Sequence, residues 1–157
     1  MREILFKAKR LDNGEWVEGF YAMMGKGNLI RHYIVQNCAL TGLFEDPKDN
    51  MYFNDVEIDP ETLCQYTGLK DKNGNRIWEN DILKGYTYPF LCDDEFNYYV
   101  IVEWSEEYKY FFLYTIKNPK STVRGISEGN SELFEDFNSD DWEVIGNNFD
   151  DENLLED

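Results

Sequence analysis

Hydrophobic and polar residues alternate along the two arms that flank the first turn signal of the chain. Residues 4–10 and 15–21 each show a period of about two, which is typical of a β-strand with one buried face. Between them stands Asp12-Asn13-Gly14, and an Asn-Gly pair supplies the positive φ angles of a tight turn. The pattern therefore predicts a β-hairpin at the start of the chain.

A second turn of the same kind divides the middle of the chain. Residues 63–69 form an apolar-rich strand candidate, and residues 76–78 return as a short strand after the pair Asn73-Gly74. Glycine adopts a positive φ at no steric cost, so we predict a second hairpin with Gly74 at such a position. Another strand is predicted to start at residue 82, after a polar turn.

The most apolar strand candidates lie further along the chain. Residues 98–104 and 110–116 are rich in β-branched and aromatic side chains, which favours central strands. Residues 142–146 predict a last strand. Residues 131–137 begin with a Ser suited to an N-cap and carry acidic residues in the first turn, a pattern that predicts one short helix. Many short strands joined by small turns indicate a compact antiparallel barrel or sandwich.

Length and composition fit one domain, or one domain with a small β appendage. The chain has 157 residues, of which 42% are hydrophobic and 17% aromatic, so it can bury a sizeable core. No apolar run approaches the roughly 18–20 residues that span a bilayer, and the N-terminus shows no signal-peptide pattern. We therefore predict a cytoplasmic protein. Its three cysteines are widely spaced and odd in number, which favours reduced thiols over a disulfide framework or a zinc site.

Charge is distributed unevenly along the chain. The net charge is −17, and residues 125–157 contribute 12 acidic and no basic side chains, against 20 acidic and 15 basic ones in residues 1–124. A negative surface of this kind repels nucleic-acid phosphates and anionic lipids and attracts basic proteins. We therefore expect a basic protein partner, no direct nucleic-acid binding and no membrane contact. The candidate acidic surface consists of Asp140, Asp141, Asp150 and Asp151.

One stretch carries a specific resemblance. Residues 58–85 read IDPETLCQYTGLKDKNGNRIWENDILKG. This stretch resembles the signature of the YopX family, whose members are encoded by bacteriophages and by prophages of bacteria. The motif positions are Asp59–Thr62, Gln65–Gly74, Trp78 and Asp81-Ile82. Agreement also extends to both ends of the chain, and Asn80 stands where the family often has Gly, which indicates a turn that tolerates the left-handed conformation.

The resemblance implies a fold and a biological setting but no activity. Family members contain an SH3-like β-barrel, and we expect a bacterial host cytoplasm as the compartment. The fold class predicted is mostly β, with a small antiparallel SH3-like barrel, an additional N-terminal β region and at most one or two short helices. Residues 1–60 are assigned to the N-terminal β-hairpin region, residues 61–146 to the barrel with the signature, and residues 147–157 to an acidic tail.

No catalytic, cofactor-binding or metal-binding residue is predicted, and no cofactor. His32 is the single histidine, so a Cys–His pair with Cys38, Cys64 or Cys92 stays open but lacks any nucleophile motif. None of the acidic runs has the spacing of a calcium loop. Basic residues surround the signature turn and leave nucleic-acid contact open, although interleaved acids favour a role in solubility. They are Lys70, Lys72, Arg76 and Lys84.

These observations leave several hypotheses about function. The first is a non-catalytic protein-binding module, with a candidate signature surface formed by Gln65, Tyr66, Arg76 and Trp78. A more specific version of this hypothesis is an acidic protein that mimics nucleic acid and binds to a basic protein. The enzyme alternative is an unrecognised carboxylate or metal hydrolase, which requires several acids to converge in one pocket. A homo-oligomer is the structural alternative, with surplus aromatic residues at its interface. Those residues are Tyr86, Tyr88, Phe90 and Tyr108.

Overall fold

The computed structural model of the chain describes residues 3–26, 29–36, 54–86, 97–107, 109–117, 131–133 and 138–154. Within these ranges the chain forms short strands and single-turn 3-10 helices, and no α-helix occurs. The 3-10 helices span Pro60–Thr62, Ser139–Asp141 and Glu152–Leu154. The strands are β1 (Phe6–Lys9), β2 (Trp16–Lys26), β3 (Leu29–Gln36), β4 (Asn54–Glu57), β5 (Cys64–Lys70), β6 (Arg76–Trp78), β7 (Asp81–Tyr86), β8 (Asn97–Ser105), β9 (Tyr110–Lys117), β10 (Ser131–Leu133) and β11 (Trp142–Asn147).

The strands form two sheets with antiparallel pairing, so the prediction of a mostly β protein is confirmed. One sheet has the order β4-β3-β2-β1-β5-β6 and the other the order β10-β9-β8-β7-β11. In the described residues, the end strands β10 and β11 pair with β9 and β7, so the second sheet is open. The coarse fold class therefore holds, whereas the SH3-like barrel stays a prediction.

The helix predicted at residues 131–137 is wrong for its first three positions. Ser131–Leu133 form β10 and pair with β9, with Glu132 opposite Leu113. Residues 134–137 lie outside the described residues. A single helical turn is costly to nucleate, whereas pairing along an existing strand supplies backbone hydrogen bonds at once. Tertiary pairing therefore overrides the local N-cap signal.

The chain divides into two compact units, residues 1–66 and residues 67–157. In the first unit, β1 and β2 form the predicted hairpin, with Phe6 opposite Gly19. Gly14 has a φ of 74°, as the turn signal predicts. β3 and β4 continue the sheet by antiparallel pairing. The core of this unit consists of the buried side chains of Ala8, Val17, Ile34 and Ile58.

The second unit is built around the two strands that the sequence predicts as central. β8 and β9 pair along most of their length, and β7 lies between β8 and β11. The predicted last strand is confirmed as β11. A side chain at Gly85 on β7 would meet the Trp142 ring at 2.7 Å, so the glycine gives the indole its space. The core of this unit consists of Ile77, Leu83, Val100, Val102, Phe111, Leu113 and Trp142.

Candidate functional site

The carboxylate of Asp71 organises the turn at the centre of the signature. Asp71 is 3% exposed. Its Oδ1 accepts hydrogen bonds from the backbone N–H groups of Asn73 at 2.9 Å and Asn75 at 2.8 Å. Its Oδ2 accepts from the Asn75 amide and from the backbone N–H of Val144, both at 3.1 Å. Four donors thus compensate the removal of this charge from water.

Gly74 completes the same turn with a φ of 84°, so the predicted positive-φ position is confirmed. Its N–H donates to the Asp71 carbonyl at 2.9 Å, and the Asp71 N–H donates to the Asn75 carbonyl at the same distance. No atom lies within 4 Å of the position that a Gly74 side chain would take. Backbone conformation, and not lack of space, therefore favours glycine here.

The turn is also attached to β11. The Lys72 N–H donates to the Trp142 carbonyl at 3.0 Å, next to the bond from Val144 to Asp71. The Lys72 ammonium lies 2.6 Å from the Glu143 carboxylate. Lys72 thereby lowers the pKa of Glu143. The signature turn and the last strand of the second unit form one hydrogen-bonded assembly.

Burial and hydrogen bonding act in opposite directions on the pKa of Asp71. Burial disfavours the ionised carboxyl group, but the hydrogen bonds from Val144, Asn75 and Asn73 together outweigh it, so the pKa lies below the ordinary value of 3.8. The group is therefore ionised at neutral pH. Because the folded state favours the charged form, this contribution to stability is lost as pH falls below that value.

A second buried carboxylate serves the next turn of the signature. Asp81 is 1% exposed and accepts a hydrogen bond from the backbone N–H of Trp78 at 2.8 Å. Asn80 precedes it with a φ of 64°, which confirms the expected left-handed turn. The Thr67 hydroxyl donates to the Ile77 carbonyl at 2.7 Å. Polar side chains of the signature thus bind the backbone of their own turns.

The candidate signature surface offers little aromatic contact area. Tyr66 and Trp78 are each 4% exposed, so their rings are buried. Gln65 and Arg76 are half-buried, and Gln65 lies opposite Phe6 of β1. Gln65 and Tyr66 belong to the first unit, and Arg76 and Trp78 to the second.

The candidate acidic surface divides into three exposed side chains and one that supports a loop. Asp140, Asp141 and Asp150 are exposed, and the amides of Asn138 and Asn147 donate to Asp141 at 3.0 Å and to Asp150 at 3.1 Å. These donors are neutral and leave the negative charges in place. Asp151 is half-buried and accepts the backbone N–H of Asn147 at 3.0 Å, so it holds the loop after β11.

The residues of the Cys–His hypothesis have structural contacts. His32 Nδ1 lies 2.6 Å from the Tyr21 hydroxyl, and the two rings stack. The buried Cys64 thiol donates to the Thr62 carbonyl at 3.4 Å. Cys38 and Cys92 lie outside the described residues. In the described part of the chain, no group of three or more His, Cys, Asp or Glu side chains is placed to hold a metal ion.

A cavity of about 430 Å³ lies in the first unit, and sequence reasoning missed it. It is lined by residues 10–12, 36 and 55–57, which are far apart in sequence. Arg10 pairs with Asp12 at 2.6 Å on its wall, and Glu57 pairs with Arg31 at 3.4 Å. Three of the charged side chains that line the cavity are thus in ion pairs, and the partner of Glu57 lies outside the lining.

The hairpin of β2 and β3 is apolar and exposed, and sequence reasoning, which predicted a turn at residues 24–28 and a strand at residues 29–35, missed that exposure. β2 pairs with β1 only as far as Gly19, and β3 pairs with β4 only from Tyr33 onward. Along Phe20–Lys26 and Leu29–Arg31, the hairpin therefore has no further strand paired beside it among the described residues. We call these two stretches together the apolar ribbon. Five of its large apolar side chains are 45–76% exposed. They are Phe20, Met23, Met24, Leu29 and Ile30.

The profile of the family described as YopX protein matches residues 6–156. The chain belongs to the YopX family. No curated protein matches it. Among solved structures, the crystal structure of protein EF1440 from Enterococcus faecalis is similar, with 19% sequence identity, a TM-score of 0.46, and coverage of 99% of this chain and 100% of that chain. Among the described residues, no helix is long and apolar enough to cross a membrane.

The YopX family match covers all residues of the signature, and the geometry gives that signature a structural role. Asp71, Gly74, Asn80 and Asp81 set backbone conformations and satisfy backbone N–H groups. The apolar ribbon and the exposed Asp140, Asp141 and Asp150 lie outside residues 58–85 of this YopX family chain, whereas polar residues of the signature turn such as Lys72 and Asn73 are also exposed.

We predict that Asp71→Asn lowers the free energy of unfolding at pH 7 by about 3 kcal/mol, because four hydrogen-bond donors lose a charged acceptor. The loss should be smaller at pH 3, because the contribution of the charged form to stability is lost as pH falls below the ordinary pKa of 3.8. Urea unfolding followed by tryptophan fluorescence at both pH values measures it. Asp12→Asn is the control, since Asp12 also has a lowered pKa, caused first by the hydrogen bond from Arg10, but is exposed. An equal loss for Asp71→Asn at both pH values contradicts the role of the charge.

We predict that Gly74→Val destabilises the protein by about 1–3 kcal/mol, because a β-branched residue at positive φ is strained. Gly74→Asn should cost clearly less, since Asn tolerates this conformation and nothing lies within 4 Å of the new side chain. Thermal unfolding of both variants measures the difference. Equal melting temperatures for Gly74→Val and the wild type would show that the turn does not depend on this φ.

Proposed function

We propose that this chain is a non-catalytic protein-binding module of a bacteriophage or prophage, acting in the cytoplasm of a bacterial host. The observation that carries the proposal is the apolar ribbon. Its five large apolar side chains are 45–76% exposed on a two-stranded hairpin segment. Contiguous exposed apolar surface marks interaction sites, and a ribbon of two strands is only marginally stable in water without packing. The phage setting rests on the resemblance of the signature to phage-encoded proteins.

The signature geometry supports a binding role over catalysis. Asp71 and Asp81 are buried and accept hydrogen bonds from backbone N–H groups of their own turns, so these carboxylates are committed to folding. A hydrolase requires acids that converge on a concave pocket with room for substrate. The carboxylates beside the described cavity include Asp12 and Glu57, which pair with Arg10 and Arg31. The carboxylate or metal hydrolase therefore remains the alternative with less support.

An SH3-like barrel is part of the proposal, since the resemblance implies it. The mostly β fold of the second unit is compatible with it. Barrels of this kind commonly carry grafted binding sites, although that relation is an analogy between folds.

Photo-crosslinking in bacterial cells tests the proposal. Benzoylphenylalanine replaces Leu29 in one variant and Ile30 in another, so that both faces of the ribbon are probed, and in a matched control it replaces Glu107, an exposed residue outside the ribbon. We expect a protein adduct from position 29 or position 30 that is absent at position 107, because a buried contact brings the probe within reach of a partner. No adduct at either ribbon position, or equal adducts at the ribbon positions and at position 107, contradicts binding through the ribbon.

A second candidate function is mimicry of nucleic acid by the acidic end. The exposure of Asp140, Asp141 and Asp150, and the neutral amides that contact two of them, favour it. Together with the excess of acid in residues 125–157, these side chains offer a negative surface to a basic protein. Asp151 belongs to the loop framework and is unsuited to a test of charge alone.

We predict that neutralising Asp140, Asp141 and Asp150 to Asn abolishes capture of a Lys- and Arg-rich protein from lysate while the fold is retained. The matched control changes the exposed Glu61, Glu103 and Glu107 to Gln, which removes the same charge elsewhere. Capture should weaken as salt rises, and added duplex DNA should compete with it. If both triple variants behave alike, or DNA does not compete, the acidic end is a solubility surface and not a mimic.

A further inference from the structure

The net charge of −17 restricts where two copies of this chain can meet. Like-charged copies repel each other, and an interface rich in carboxylates adds unpaired buried charge. Residues 19–44 contain no Asp or Glu, although the chain has 32 of them, and they do contain Lys26 and Arg31. The apolar ribbon lies within this acid-free stretch. At the ribbon, two copies can therefore approach each other without bringing acidic side chains together.

We propose that the ribbon binds a second copy of the same chain, and that the contact uses the face that continues the core of the first unit. The proposal rests on the proposed function, since it names the partner of the same ribbon. Because directly paired residues of an antiparallel ribbon share a face, the strand register assigns the side chains to faces. The core-side face carries Tyr21, Met23, Gly25, Ile30, His32 and Ile34.

The core-side face carries no Asp, Glu, Lys or Arg over these six positions. Ile34 at its inner end is fully buried in the core, whereas Met23 and Ile30 further out are 62% and 57% exposed. The core face therefore continues past the core and ends in open apolar side chains. Gly25 lies opposite Ile30 and leaves that position flat. Two such faces can pack without desolvating a charge, which makes the face self-complementary.

The opposite face and the acidic end fit a second copy less well. Arg31 lies on the opposite face, beside Met24, and pairs with Glu57, so a contact between two of those faces would remove charged side chains from water. The exposed aspartates of the acidic end could pair with Arg31 of a second copy. However, the described part of the acidic end has no exposed large apolar side chain to pack on the ribbon, because in the described residues all such side chains belong to the first unit. Only the core-side face matches itself in both polarity and charge.

The dependence on salt follows from the same charges and has a diagnostic sign. Each copy carries −17, so long-range repulsion opposes dimerisation, while the contact itself is apolar. Added salt screens the repulsion and should strengthen the dimer. Attraction of the basic residues to an acidic partner or to anionic lipid would instead weaken with salt.

Sedimentation equilibrium of the purified chain tests the proposal, from about 1 μM to about 300 μM and at low and high salt, a range that covers weak dimers. We expect a monomer–dimer equilibrium that shifts towards dimer at high salt. Ile30→Glu should raise the dissociation constant by at least about tenfold, because it places like charges across the contact. Leu11→Glu is the matched control, since Leu11 is 60% exposed outside the ribbon and should leave the constant within about twofold.

Further variants keep the proposal falsifiable. Met23→Glu serves if Ile30→Glu fails to fold, because Met23 lies on the same face. Leu29→Glu, on the opposite face, should weaken the dimer much less than either. A monomer at every concentration and salt, a dimer that weakens with salt, or equal effects of Ile30→Glu and Leu11→Glu overturns the inference. Monomers that bind phosphatidylglycerol vesicles through the ribbon also overturn it.

The proposed binding-module function and the proposed binding of a second copy can be contradicted independently. A host protein crosslinked at position 29 or position 30 of a monomeric chain supports the binding-module function and contradicts binding of a second copy. A crosslinked homodimer supports both. No adduct together with a monomer in sedimentation removes both.

Discussion

The hydrogen-bonded carboxylate of Asp71 is the interaction on which the second unit most depends. A buried charge is tolerated only where donors replace its hydration, and here Asn73, Asn75 and Val144 do so. Two of these residues lie in the turn and one in β11, so a single side chain fixes a local conformation and a contact 73 residues away in sequence. Removing the carboxylate leaves donors in both places without a partner, which is why the turn and the last strand depend on the same group.

This dependence explains what the signature encodes. Asp71 must be followed by residues that present their N–H groups to it, and Gly74 provides the positive φ that closes the turn. Asn80 and Asp81 repeat the arrangement one turn later, with a left-handed residue next to a buried carboxylate. The signature thus describes chemistry that makes two tight turns. A motif can identify a family through its folding requirements and give no information about its partner.

Local signals predicted the features that depend on local physics. Asn13-Gly14 and Asn73-Gly74 mark turns through the conformational freedom of glycine, and the apolar runs of β8 and β9 mark central strands. Features set by tertiary structure escaped prediction. Asp71 and Asp81 look like solvated turn residues because their burial depends on other strands. The exposed ribbon looks like ordinary strand sequence, because an apolar residue in an alternating pattern indicates a core and not an interface.

The charge distribution reconciles solubility with association. A net charge of −17 keeps copies apart at long range, and the core-side face of the ribbon offers, within the described residues, an apolar surface where a close contact buries no Asp, Glu, Lys or Arg. The specificity of a contact between two copies would then depend on the regions without carboxylates as well as on the regions that carry them. If two copies join through their ribbons, each assembly carries two acidic ends. A basic partner with two sites would then bind the second end at a raised effective concentration, so that self-association increases the affinity of a weak electrostatic contact.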